Sequence, residues 1–361
     1  MAALDSVGTV PSGGRNAFFA STTGARVLDA AAKADFDATV NWLTAHPGRF
    51  GTEDLYGLVG TVTERLNADA AGFLSAHAAD GSLTALLPAV DNALLNNGSG
   101  QRAAVWDWLK TQPDNELTKD LKEQVLHSTA WQEPDVALQL VADLPRTPTG
   151  DAQVRELARS LYNGGNQLFR FDTLLAQAPE RLRQPLIDAA FNCLSSDNLG
   201  NPQVWTARLP LLTDTSRMQG TESLARAWAG QSPEDAAAWA SSLPSGADRN
   251  GAFGAIASAW AAKDPRGAAD WVSALPSGAD HDQGVQSLVL AVANQYPREA
   301  WDWALSITDT SERSTSAAQA VKAMAARDPA TARQWIESGP FTAATRSELA
   351  AALQQTGGAR K

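Results

Sequence analysis

The side chains able to do chemistry are few and far apart. The chain has four histidines and one cysteine, and it carries no HExxH, CxxC, GxSxG or glycine-rich phosphate loop. A metal needs several donors converging on one point, and a nucleophile needs an adjacent base, so neither a metal site nor a cofactor is expected. His46 and His77 each follow an aromatic residue, Trp42 and Phe73, at the same offset. They read as equivalent helix ends, where an imidazolium is favoured by the helix dipole. Arg217, Arg249, His281 and Arg313 are the one polar set with a regular interval, 32 residues. Such a row fits a groove that meets an acidic or carboxylate-bearing partner. The plainer reading pairs each cation with a carboxylate or carbonyl of a neighbouring loop, an interaction worth ~0–1 kcal/mol at a surface. Trp106, Trp205 and Trp301 stand off the main tryptophan register, and are expected to be partly exposed and fit for contact. Asn97-Gly98-Ser99 matches a glycosylation sequon, but its Asn-Gly pair reads as a turn.

The same 32-residue interval runs through the elements that must hold these groups. Trp239, Trp271, Trp303 and Trp335 keep it, as do Pro233, Pro265, Pro297 and Pro329, and Ala236, Ala268, Ala300 and Ala332. Leu243-Pro244-Ser245-Gly246-Ala247-Asp248 recurs unchanged at Leu275 to Asp280. Within one copy, Phe253, Ile256, Ala257 and Trp260 have helical spacing, and Val285, Leu288, Val289 and Val292 continue it in the next. A shorter second helix follows, marked by Ala268, Trp271, Val272 and Leu275. Asp264, Asp328 and Ser232 each precede a proline suited to the first helical position, and are expected to cap that second helix. Pro244 and Pro276 end it, Gly246 and Gly278 permit the turn, and Asp248, Asp280 and Ser216 are expected to cap the next long helix. The recurring tryptophans are expected to be core.

Upstream the register weakens. Trp106-Asp107-Trp108 duplicates Trp301-Asp302-Trp303, and Pro134 to Pro145 repeats the 11-residue step from Pro233 to Pro244. Residues 1–26 read as a flexible segment, 27–217 as degenerate repeats, 218–345 as regular repeats, and 346–361 as a C-terminal cap and tail. A single hairpin cannot bury its own apolar face, so neighbours must stack. The expected fold is all-α: a right-handed α-solenoid of about ten helix-turn-helix repeats of ~32 residues.

Composition closes off other classes. In 361 residues, 44% are hydrophobic, against a disordered chain, and one cysteine excludes an internal disulfide. A net charge of -11 argues against a general nucleic-acid binder. No stretch reaches the ~18–20 apolar residues of a membrane span, and no export signal stands at the start, so a cytoplasmic protein is expected, or an exported one if a leader has been removed.

Trp260-Ala261, Asp264-Pro265, Ala268, Trp271 and Leu275-Pro276 together resemble an uncharacterised class of bacterial helical repeats, and more distantly the HAT and TPR superfamilies. The resemblance is clear over residues 218–340. TPR units usually have 34 residues with a glycine in the first helix and an alanine early in the second, and this chain has no consistent copy of that glycine. Such families imply protein or peptide binding on a curved surface, without catalysis. The alternatives are an all-helical (α/α) toroid enzyme acting on carbohydrate with two carboxylates, and a protein that self-assembles through its end repeats.

Overall fold

A computed structural model describes Leu4 and residues 22–96, 99–163 and 167–358. Asn97 and Gly98 of the sequon, most of the N-terminal segment, and the last three residues of the tail lie outside the described residues. Among those described, every regular element is a helix, and no helix is long and apolar enough to cross a membrane. The chain divides into two compact units, Met1–Pro185 and Leu186–Lys361.

The second unit carries the regular repeat. Long A helices, Asp214–Gln231, Ala247–Lys263, Ala279–Val292 and Thr310–Ala325, alternate with short B helices, Pro233–Ser242, Pro265–Ser273, Pro297–Ser306 and Pro329–Ser338. Proline takes the first position of every B helix, where its missing N–H is no loss. Asp264 and Asp328 cap as expected, accepting from Gly267 and from Ala330 and Thr331. Ser232 does not, because its hydroxyl donates to Asp235 instead. The A helices begin at Gly246 and Gly278, with φ of 150° and 147°, so Asp248 and Asp280 fall in the first turn and Ser216 inside its helix. That φ is open to glycine and strained for any other residue.

Each A helix packs on the A helix that follows and on its own B helix. The seam positions are small or aliphatic: Ala236, Ala268, Ala300 and Ala332 are fully buried, as are Ile256, Ala257, Leu288 and Val289. Here the tryptophan expectation holds only in part: Trp271, Trp303 and Trp335 pack against the core without being sealed inside it. Trp239, Trp271, Trp303 and Trp335 are only half-buried. Alanine holds the seam and lets the helix axes approach, which displaces the larger indole to the flank of the apolar stripe. The off-register tryptophans are the buried ones: Trp106, Trp205 and Trp301 are 3%, 4% and 6% exposed. Trp301 lies on the side of its helix that faces the next repeat, where Trp335 stacks on it at 5.1 Å and Phe341 meets it edge-on. Trp106 donates to Asp143, and Trp205 donates to the Leu199 carbonyl beside Phe191.

The first unit is less regular. Thr23–Ala34 pairs with Phe36–Ala45, and Val59–Ala79 is broken at Asp69, whose extended backbone (φ −158°, ψ 87°) and carboxylate start a second helix by accepting from Gly72. Trp42 lies seven residues after its cap Asp35, the offset of Trp271 from Asp264, but Phe73 lies only four after Asp69. The two aromatics are therefore one turn out of equivalence.

Truncating Trp301 to alanine is expected to cost about 3–5 kcal/mol, and truncating the exposed Trp131 less than about 1 kcal/mol. Urea unfolding of both variants checks the contrast.

Candidate functional site

A concavity lies on the A-helix face of the second unit. Along Ala247–Lys263 the residues Ala247, Gly251, Gly254, Ala255 and Ser258 follow one another at helical spacing and form a low floor. Met218, Glu222 and Arg226 of the preceding A helix make one wall, and Gln283, Ser287 and Leu290 of the following one make the other. The trough encloses ≈ 410 Å³. Its rims are apolar, with Met218 46% and Leu290 59% exposed. The floor is low because the helices are close: a Cβ on Gly254 would stand 2.8 Å from the Ser287 hydroxyl. One carboxylate and one guanidinium lie on the same wall, so the trough has neither strong charge nor an acid–base pair across it.

The cation row has a structural explanation. Arg249 binds the Asp280 carboxylate at 2.8 Å and donates to the Ser241 and Leu243 carbonyls. Arg313 donates to the Ile307 carbonyl, and Arg217 reaches the Leu212 carbonyl at 3.5 Å and Asp214 at 3.1 Å. Arg346 repeats the pattern on the Gly339 carbonyl. Each guanidinium thus holds the carbonyl just before its own A helix, one of the groups a helix end leaves unsatisfied. His281 is buried instead, with Nδ1 3.2 Å from Asp282. Asp282 takes over the fastening there: it accepts from the Thr308 N–H and hydroxyl and from the Asp309 N–H. Burial pushes the Asp282 carboxyl up, but the bonds from Thr308, Asp309 and His281 outweigh it and hold the group below its ordinary range.

A second ladder escapes a reading by residue type. Gln231 donates to the Ser196 carbonyl, Lys263 to Gly230 and Arg327 to Asn294, so a donor at or just beyond the end of one A helix holds backbone about one repeat earlier. In the first unit Gln132 does the same to Leu95. Gln231, Lys263 and Arg327 sit on one 32-residue register, with Gln295 between the last two. What they share is a donor rather than a charge.

In the first unit, Trp106, Lys110, Gln112, Asp114, Lys122 and Asp143 line a cavity of ≈ 300 Å³. Its charges are already matched, Lys110 to Asp107 at 2.7 Å and Lys122 to Asp114 at 2.7 Å. His46 is exposed and stacks on Trp42 at 4.2 Å, whereas His77 is buried beside Phe73, with Nδ1 2.6 Å from the Ser82 hydroxyl. That hydroxyl donates to Asp80, so Nδ1 must be the donor to Ser82. Burial draws the His77 imidazole below its ordinary pKa, against the opposing pull of Asp80. His127 approaches Ser160 at 3.2 Å. Among the described residues no group of three or more His, Cys, Asp or Glu side chains is placed to hold a metal.

Comparison of the chain with protein-family models, curated proteins and solved structures finds no match.

One acid stands out without belonging to either cavity. Burial, reinforced by the charge of Asp120, pushes Asp91 up to about 6. The folded chain therefore binds this proton more tightly than the unfolded one, whose carboxyl titrates near ~4. The resulting stability is fully present below ~4 and is lost as the pH rises through about 6. Asp91→Asn is expected to be more stable than the parent by about 1–2 kcal/mol above pH ~8, after allowing for solvent screening, and to lose that advantage below pH ~4. Denaturant titrations across this range read it directly.

Proposed function

We propose that the chain is a non-catalytic scaffold that binds a protein or peptide segment, and that its hairpins continue as a right-handed α-solenoid of about ten repeats. The trough on the A-helix face carries this reading. It is lined by three successive A helices, floored by small residues, rimmed by exposed methionine and leucine, and poor in paired titratable groups. Those properties suit a polypeptide side-chain row better than a substrate that must be protonated or attacked. Ala247 and Ser258 are the exposed members of the floor, while Asn250, Gln283 and Ser287 offer hydrogen bonds without imposing charge.

The test compares affinity capture from the native host by the parent protein and by Met218→Arg and Leu290→Arg. Both substitutions lie on exposed rims and leave the core untouched. A partner retained by the parent and reduced at least about tenfold by either variant supports the trough. Equal capture by all three proteins rejects it. Small-angle scattering gives an independent measure of the extended array, for which a longest dimension of roughly 90–100 Å is expected from helix packing distances.

A further inference from the structure

We propose that the outer face of helices Leu83–Asn96 and Glu116–Gln132, in the first unit, docks a basic amphipathic helix of a partner protein. The partner's apolar stripe covers Leu95 and Trp131, and a lysine or arginine on its flank reaches the carboxylates of Asp91 and Asp120. This rests on the chain being a polypeptide-binding scaffold, but it uses no residue of the trough.

The two helices pack on one another within a single unit. On the longer one, Asp120, Gln124, His127 and Trp131 have the spacing of one helix side, and Asp120, His127 and Trp131 are exposed. On the other, Asp91 and Leu95 lie one turn apart. The helices are level at their C-terminal ends, because Gln132, beside Trp131, donates to the Leu95 carbonyl. This is the side that bears the trough in the second unit. Gln132 and Lys263 are each the last residue of a helix and donate to the penultimate residue of the long helix before. Counting back from them sets Asp120 at the place of Gly251 and His127 at that of Ser258. Where the second unit keeps small residues, the first presents large and charged ones.

Charge identifies the occupant. At one end of the face Trp131 and Leu95 are 53% and 38% exposed. Beside them stand two carboxylates with nothing to neutralise them. Among the described residues neither Asp91 nor Asp120 has a hydrogen bond or an ion pair, and Asp91 Oδ1 is sealed from solvent without a partner. Asp135, Asp143 and Asp151 of the same unit each meet a cation, Arg170, Lys110 and Arg181. Desolvation and the charge of Asp120 act together against the Asp91 carboxylate, and a cation brought from outside relieves both. A second copy of a chain with net charge -11 brings further acids, and a nucleic acid or an anionic membrane is repelled by the same pair. A helix fits the spacing. Asp91 and Leu95 are four residues apart, and a helix laid beside them carries a cation and a leucine at that same interval. Asp120 and Trp131 are separated by roughly 16 Å along their helix, about three turns of such a partner.

The probe is a labelled helix-forming peptide of about 18 residues with a leucine stripe at helical spacing and lysines on both flanks of it. It is set against a permuted peptide of the same composition without the stripe, and against one with glutamate in place of lysine. Fluorescence anisotropy is titrated with the full chain. The expected result is saturable one-to-one binding of the amphipathic basic peptide, weakened at least about tenfold by permutation, by Trp131→Ala, and by combined Asp91→Asn and Asp120→Asn. The glutamate peptide should not bind. Both variants leave the core in place, and their circular dichroism should match the parent's. Leu290→Arg should leave the affinity unchanged. Absence of saturable binding, equal binding of the permuted or glutamate peptide, or full affinity in either first-unit variant overturns the proposal. Self-association of the parent that Trp131→Ala abolishes assigns the face to a second copy and also overturns it. Loss of binding in Leu290→Arg overturns it while leaving the trough reading intact. Conversely, a partner captured independently of Met218 and Leu290 removes the trough without touching this surface.

Discussion

Close approach of successive long helices is the constraint on which the second unit depends. A short hairpin has too little apolar area to be stable alone, so its neighbours must come near enough to bury what it leaves open. Fully buried Ala268, Ala300 and Ala332 in the B helices, and Gly254 set against Ser287 between two A helices, give that proximity. The cost falls on the large side chains, which cannot share the seam. Indoles move to its flanks, and the exposed side of the middle A helix becomes a floor of glycine, alanine and serine. The trough is therefore a product of the same packing.

Short helices also have many ends, and every end leaves carbonyl groups without intrahelical partners. Two sets of long polar side chains answer this. Arg217, Arg249, Arg313 and Arg346 fasten the carbonyls ahead of their own helices. Gln231, Lys263 and Arg327 fasten backbone about one repeat earlier. Where His281 breaks the arginine row, Asp282 reaches forward to Thr308 and Asp309, so the loop is held from a carboxylate rather than a cation.

Helix positions were readable because period and punctuation agree: prolines at the first turn, small residues at the seam, and positive-φ glycine ahead of two of the A helices. Burial was less readable. Recurrence of a tryptophan shows that its position is equivalent from copy to copy, and says nothing of whether that position is central or peripheral. Trp301 is buried and Trp271 only partly so for that reason, since exposure depends on which helix covers the residue from the next repeat. Arg249 and its counterparts were visible by charge, whereas the Gln231–Lys263–Arg327 set mixes an amide with two cations and is recognisable only by what each atom touches. The trough was hidden for a related reason: small residues in a helix signal close packing, and only the surrounding helices decide whether any of them is left facing outward.

The bonds that tie one hairpin to another reach back by about the length of a single copy, as with Lys263 to Gly230 and Arg327 to Asn294. No fastening within that series depends on a distant part of the chain. A duplication or deletion of one whole unit would therefore bring matching donor and acceptor positions together at the new junction. The architecture is one that a genome can lengthen or shorten by unequal recombination, changing the reach of the protein while each joint stays chemically complete.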